Sequence, residues 1–136
     1  MTTKVIHTSG RRKRAVARAT VKHGKGMVRI NSKSLETYSP ELAKNKIKEP
    51  LILAGDIVSS KKIKIDINVK GGGWRSQADA ARLAIARALV EFTGDKSLEK
   101  IFIDYDRQLI VADVRSKEQC KPNDSKARAK RTKSYR

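Results

Sequence analysis

The clearest pattern in the chain is a strict alternation of apolar and polar residues over positions 61–70. Ile63, Ile65, Ile67 and Val69 take every second position, and charged or amide residues stand between them. Because successive side chains of a strand point to opposite faces, this spacing places the four apolar side chains on one face. The pattern predicts a strand that is half-buried against an apolar layer.

A long amphipathic helix is predicted after this strand. Three glycines at 71–73 end the strand, and Ser76 with Asp79 three residues later is typical of a capping box that opens a helix. Gly94 predicts the end of this helix. Between these signals, apolar residues recur at spacings of three or four and share one stripe: Ala78, Ala81, Ile85, Leu89 and Phe92.

The N-terminal half is predicted to contain a β-hairpin. Residues 15–21 alternate small or β-branched residues with polar ones, and residues 27–30 return as a second apolar stretch. The segment between them, His23-Gly24-Lys25-Gly26, has turn composition. These two stretches are therefore interpreted as paired neighbours.

Two further helices are indicated by their ends. Ser39-Pro40-Glu41 predicts a helix start, with Ser39 as the cap, and this helix is predicted to stop before Pro50. A shorter helix is predicted over 96–102, and residues 109–111 form a last apolar anchor. The predicted fold class is α+β, a small sheet with helices packed on one face. Residues 1–113 form the body, and residues 114–136 form an extended basic tail.

The charge of the chain points to a polyanionic partner. The chain has 136 residues, 32 of them Lys or Arg against 14 Asp or Glu, so its net charge is +18. Phosphate neutralisation by such cations releases counterions and drives binding to nucleic acid. An anionic membrane surface is the second candidate, but no apolar run is long enough to span a bilayer, and the N-terminus has no apolar signal core. The lone Cys120 is interpreted as a free thiol in a cytoplasmic protein.

Four consecutive cations, Arg11-Arg12-Lys13-Arg14, are predicted where a strand meets a loop. Guanidinium groups grip phosphate oxygens bidentately, so the block is interpreted as a phosphate clamp. The alternative is a solvated run of charge.

The segment Lys70-Gly71-Gly72-Gly73-Trp74-Arg75 is the second candidate binding motif. Three glycines allow another backbone to come close, and the helix start that follows offers unpaired N–H groups. RNA backbone contact is favoured, with Trp74 available to stack on a base. A plain strand-to-helix turn is the alternative. A nucleotide-cradling loop is disfavoured, because the segment lacks the G-x-x-x-x-G-K-[ST] spacing.

No catalytic or metal-binding pattern is found, and no cofactor is predicted. Asp104 and Asp106 are close in sequence, but an ion pair with Arg107 or a neighbouring cation is favoured over acid–base work. His7 and His23 have no recognisable partner at a suitable spacing. Aromatic residues make up only 4% of the chain, which disfavours a surface that reads single strands by stacking. Backbone charge and shape are the predicted basis of binding.

These motifs together resemble the family of the ninth protein of the small ribosomal subunit. The resemblance rests on Gly10-Arg11-Arg12-Lys13, on Ala17-Arg18, on residues 69–73 followed by Gln77, and on residues 85–89. Its archaeal and eukaryotic form is indicated by three C-terminal motifs: Tyr105-Asp106-Arg107, Val111-Ala112-Asp113-Val114-Arg115 and Lys133-Ser134-Tyr135-Arg136. The chain departs from the family at residues 122–126, where a Gly/Pro-rich piece is common.

The resemblance implies a structural component of the small-subunit head whose body resembles the second domain of the fifth small-subunit protein. It implies three partners: ribosomal RNA of the 16S type, peptidyl-site transfer RNA and neighbouring head proteins. Lys133, Tyr135 and Arg136 are expected at the transfer RNA. The motifs and the resemblance predict ribosomal RNA contacts at these positions: Arg11, Arg12, Lys13, Arg14, Lys70, Gly71, Gly72, Gly73, Arg75, Arg107, Arg115, Arg128, Lys130 and Arg131.

Two rival functions stay open on composition alone. A DNA-compacting protein would share the charge, but the tail has no Gly-Arg-Pro element typical of DNA-groove binders. A small phosphotransferase would have to use the glycine loop, and its activity would then depend on Gly72.

Overall fold

The structure is a computed structural model that describes residues 4–55 and 63–120. It is α+β, as predicted, and contains a five-stranded sheet with the order β1-β2-β5-β3-β4. The strands are β1 Ile6–Arg12, β2 Ala15–His23, β3 Val28–Ile30, β4 Lys33–Ser34 and β5 Ile63–Lys70. The helices are α1 Glu41–Leu53, α2 Trp74–Thr93 and α3 Lys96–Tyr105, with 3-10 turns at Leu35–Thr37 and Arg107–Leu109.

The apolar face of the sheet is packed against helices, and α2 lies on β1 and β2. In β5 the four apolar residues Ile63, Ile65, Ile67 and Val69 are buried, so the predicted alternation is confirmed. The predicted stripe of α2 is also buried, from Ala78 to Phe92. Lys61 and Lys62, which were included in the predicted strand, lie outside the described residues.

The predicted hairpin between residues 15–21 and 27–30 is wrong. Both stretches are strands, but β5 lies between them and pairs with each. β2 pairs with β5 over eight antiparallel residue pairs, whereas β3 pairs with β5 in parallel over three. A long ladder that buries one full apolar face outweighs a local turn signal, and the parallel pairing of β3 requires a crossover, which includes α1.

The observed hairpin joins β1 to β2. Their register runs from Ile6 opposite Val21 to Arg12 opposite Ala15. Arg11 and Arg12 of the basic block therefore belong to β1, and only Lys13 and Arg14 form the turn. This turn sets the position of the basic block.

Both predicted boundaries of α1 are wrong. Pro50 lies inside α1, and its ring is buried. The helix continues past it, because the Ala54 N–H donates a hydrogen bond to the Pro50 carbonyl. Proline removes one helical donor, and burial of its ring compensates for that loss. Ser39 does not cap α1, because Pro40 occupies the N-cap position and makes no side-chain cap.

The predicted capping box of α2 is also wrong. The helix begins earlier, at Trp74, with Gly73 at the N-cap and no side-chain cap, so Ser76 lies inside the first turn. Gln77 stabilises this start differently, because its side-chain amide donates to the Gly71 carbonyl at 3.1 Å. Gly94 ends the helix in the left-handed conformation at φ 68°, as predicted. The short helix α3 continues past its predicted end at Phe102 to Tyr105.

Candidate nucleic-acid interface

The β1–β2 turn presents the basic block at one end of the sheet. Lys13 adopts a left-handed φ of 52°, which lets the chain reverse within two residues. Arg11, Lys13 and Arg14 are exposed, and the Arg11 Nε–H donates to the Lys13 carbonyl at 3.3 Å. The turn therefore holds three cationic side chains in solvent at a defined place.

The glycine loop packs directly against this turn. Gly71 and Gly72 have φ values of 78° and 66°. A Cβ at Gly71 would come within 2.5 Å of the Arg14 carbonyl oxygen, and one at Gly72 within 3.1 Å of the Ala15 nitrogen. Both positions thus require glycine for two reasons, the positive φ and the close approach of the hairpin backbone. The consequence is that the two candidate motifs, far apart in sequence, form one surface.

We call this surface the basic edge and define it by its exposed cations: Arg11, Lys13, Arg14, Lys70 and Arg75. Lys70 ends β5 opposite Val16 of β2, and Arg75 lies in the first turn of α2. Five cations at one end of a sheet form a field that attracts phosphate groups.

Trp74 borders the basic edge and is 41% exposed. The Arg75 guanidinium lies over its ring, 5.1 Å from the centroid. This cation–π contact orients Arg75 in advance and covers one face of the ring. The ring is therefore better placed to hold Arg75 than to stack a base between two open faces.

Arg12 differs from its neighbours, because its guanidinium contacts protein carboxylates. Its Nη1 lies 2.6 Å from Asp113 Oδ2, and its Nε lies 4.0 Å from Asp79 Oδ2. The Arg12 side chain is only 19% exposed. Arg12 thus links the end of β1 to Asp113, which follows the second 3-10 turn.

Asp113 joins this segment to the hairpin. Besides Arg12, it accepts hydrogen bonds from the Arg115 Nε, Nη2 and backbone N–H at 3.0, 2.6 and 2.9 Å. The side-chain hydrogen bond from Arg115, then the one from its backbone, hold the pKa of Asp113 well below its usual range. The same contact raises the pKa of Arg115. Asp113 is ionised at neutral pH and holds the start of the predicted tail beside the basic edge.

Asp113→Asn is expected to loosen residues 113–115 from the hairpin, because a neutral amide loses the charge that Arg12 and Arg115 share. The measurement is the mobility of a nitroxide on Val114→Cys, a position 90% exposed, in a Cys120→Ser background. We expect a faster-moving label in the Asp113→Asn variant. Asp104→Asn, an exposed carboxylate on α3, is the control. Equal mobility in both variants would show that Asp113 does not hold this segment.

The remaining predicted contacts lie elsewhere. Arg107 is exposed on the 3-10 turn after α3, and Arg115 is 75% exposed next to Asp113. The tail positions predicted to contact RNA lie outside the described residues: Arg128, Lys130, Arg131, Lys133, Tyr135 and Arg136.

Sequence reasoning missed Arg18 and Arg29, which point from β2 and β3 to the polar face of the sheet. Arg18 stands at a polar position of the alternating stretch 15–21, and this alternation could have placed it on the polar face. Arg29 likewise stands between the apolar residues Val28 and Ile30, but this alternation covers only three residues and is a weaker signal.

The described residues hold no cluster of three or more His, Cys, Asp or Glu that could bind a metal. Asp106, weighed above as an acid–base candidate, accepts a hydrogen bond from Arg82 at 2.7 Å, so it forms an ion pair as favoured, with a different partner. Across residues 4–55 and 63–120, the helices are too short or too polar to cross a membrane.

Comparison with known proteins agrees with the resemblance. The family model described as ribosomal protein S9/S16 matches residues 10–136. The chain is 51% identical over 135 residues to the small ribosomal subunit protein uS9 of Methanococcus vannielii, covering 98% of this chain and 99% of that protein. It is 53% identical, with the same coverage, to the protein of that name from Methanococcus maripaludis strain C7. The chain therefore belongs to the ribosomal protein S9/S16 family, in its archaeal and eukaryotic form, and is a structural component of the ribosome and not an enzyme.

Proposed function

We propose that this chain is a structural constituent of the small-subunit head that binds ribosomal RNA through the basic edge. The observation that carries the proposal is the packing of the glycine loop on the β1–β2 turn, which gathers five exposed cations in a member of a ribosomal family. Neighbouring head proteins complete its surroundings, and its place is the cytoplasmic ribosome.

Binding at the basic edge relies on phosphate contacts. Arg14 and Arg75 supply planar guanidinium forks, and Lys13 and Lys70 supply point charges. Gly71 and Gly72 let the loop lie directly against Arg14 and Ala15, which keeps the cations of the loop and of the turn on one surface. A Cβ at Gly73 would meet no heavy atom within 4 Å, so the main chain there is open to an RNA backbone. Such contacts position the protein on folded RNA without reading its base sequence.

In this function the chain consists of a body, residues 1–113, and an extended basic tail, residues 114–136. Nine Lys or Arg against two acids in residues 115–136 support this division, because such a segment has too little apolar area to fold alone. The α+β body is proposed to share the architecture of the second domain of the fifth small-subunit protein. The tail reaches peptidyl-site transfer RNA, where Arg136, Tyr135 and Lys133 contact the phosphates.

Deletion of Ser134–Arg136 tests both parts of the proposal. The shortened chain is expected to co-sediment with small subunits as the full chain does, because the basic edge is intact. Retention of peptidyl-site transfer RNA on those subunits is expected to weaken several-fold. The deletion removes the guanidinium of Arg136 and the side chain of Tyr135, and it leaves Lys133 as the last of the three proposed contacts.

The matched control is Lys96→Gln, which removes an exposed charge from α3. Unchanged transfer RNA retention after the deletion would contradict the tail contact. Failure of the full chain to enter small subunits, or a preference for duplex DNA over ribosomal RNA at matched salt, would contradict the proposed function itself.

A further inference from the structure

One face of the sheet carries helices, and the other carries no element among the described residues. In β2 and β5 the residues between the buried ones point to this second face, where Arg18, Lys22, Asn68 and Lys70 are exposed. We call it the open face. Its strands are paired to each other, so its surface consists of side chains and not of unpaired backbone.

The open face is strongly cationic. The register aligns its outward residues across β1, β2, β5 and β3, and one acid stands among them, Asp66, which lies 3.5 Å from Lys64. The outward cations are Arg11, Arg18, Lys22, Arg29, Lys64 and Lys70. With six cations against one carboxylate among the described residues of this face, most of the positive charge is not balanced there, and this favours a polyanionic partner.

A groove of about 580 Å³ runs across the centre of the open face. Arg18 stands on its β2 side opposite Asn68, Arg29 stands on its β3 side opposite Asp66, and Lys70 lies at one end. Ser32 adds a hydroxyl to the lining. Between these cations the groove holds the neutral groups of Thr20 and Asn68 and one carboxylate, Asp66, so three cations face one acid. A groove with this net positive charge and with hydrogen-bonding groups suits a phosphodiester backbone with its sugar hydroxyls.

The residues of the groove exclude base stacking as the basis of RNA recognition there. Its lining contains no aromatic side chain. The nearest ring on this face, His7, hydrogen-bonds to the Thr20 hydroxyl at 3.0 Å. Recognition here therefore runs through phosphate charge and depends on salt, without base-sequence preference.

We infer that the open face is a second RNA-backbone surface, with Arg18 and Arg29 gripping phosphates from opposite walls of its groove. This inference rests on the proposed function and extends it, because the basic edge alone would use only one end of the sheet. Arg11 and Lys70 belong to both surfaces, so one RNA can continue from the edge onto the open face.

The test measures the affinity of the full chain for a small-subunit ribosomal RNA transcript over a series of salt concentrations. Arg18→Gln/Arg29→Gln is compared with two variants of equal charge loss. Arg14→Gln/Arg75→Gln changes the basic edge, and Lys96→Gln/Lys100→Gln changes exposed lysines of α3. Thermal unfolding of each variant checks that the fold is kept.

In the open-face variant, the negative slope of log affinity against log salt is expected to become shallower by about 1.4 to 1.8. Two phosphate contacts are lost, and each contributes roughly 0.7 to 0.9 to the size of the slope. The α3 variant is expected to match the unmodified chain. A slope that falls for the basic-edge variant but not for the open-face variant would overturn this inference and leave the proposed function standing. The same holds if the open-face variant binds RNA normally yet fails to enter small subunits, because the face would then contact an acidic protein. Absence of RNA binding by the unmodified chain would overturn both.

Discussion

Gly10→Ala is expected to lower the free energy of unfolding by about 1–3 kcal/mol. Gly10 is buried in β1 where α2 crosses it, and a Cβ there would press on the Ala80 carbonyl oxygen and lie 2.9 Å from the Ala84 nitrogen. Both atoms belong to helix backbone, so no side-chain rotation relieves the overlap, and α2 must shift as a body. Urea denaturation measures the loss.

Gly73→Ala is the control for this substitution. Gly73 has a φ of −105°, and a Cβ there would have no heavy atom within 4 Å. Gly73 is the N-cap of α2, where alanine is less favourable than glycine, so its free energy of unfolding is expected to fall by less than about 1 kcal/mol. Equal values for the two variants would show that β1 and α2 are not held at this close approach.

Arg82→Met is expected to lower the free energy of unfolding by about 2 kcal/mol. Arg82 is 8% exposed and joins three elements, because its Nη2 lies 2.5 Å from Glu49 of α1 and its Nη1 lies 2.7 Å from Asp106 after α3. Methionine keeps the packing but leaves two carboxylates without their shared cation. Both carboxylates are about one-third exposed, so solvent reduces the loss below that of a fully buried pair.

The pH dependence of stability separates this role from packing. Burial raises the pKa of Asp106, but hydrogen bonds from Arg82 and the Gln108 backbone outweigh it, and the pKa lies below its ordinary value. The stabilisation is therefore present above the ordinary Asp pKa of about 4 and is lost as pH falls through the lower folded value. Urea unfolding at a series of acidic pH values should show a smaller decline for Arg82→Met than for the unmodified chain.

Arg75→Met is the comparison, since it removes an exposed guanidinium from the first turn of α2. Its free energy of unfolding is expected to fall at acidic pH as much as that of the unmodified chain. Asp113 contributes to this fall equally in every variant. Identical declines for Arg82→Met and Arg75→Met would contradict the proposed share of Asp106 in acid stability.

Local signals predicted most elements, and the wrong hairpin and the wrong end of α1 have one cause. The alternation at Ile63–Val69 and the stop at Gly94 depend on the chain's own periodicity and conformation, so they were readable. The hairpin and the end of α1 at Pro50 depended on what packs nearby. A buried proline ring and an eight-pair ladder between distant strands carry more free energy than a turn or helix-end preference.

The candidate site shows the same division. The cation block and the glycine loop were identified separately as binding motifs, and their residue types sufficed for that. Their contact through Gly71 and Arg14 was not predictable, because nothing in either segment encodes the other. Arg12 looked like its neighbours in sequence, but the fold places it against Asp113.

The amino-acid sequence by itself determined the α+β class, the large positive charge and the ribosomal family, because these depend on composition, periodicity and motifs within single segments. Only the tertiary structure decided which strands are neighbours, which cations face solvent and which are neutralised by protein carboxylates. The physical reason is that strand pairing and ion pairing are made between segments far apart in the chain, so their partners are set by packing of the whole core.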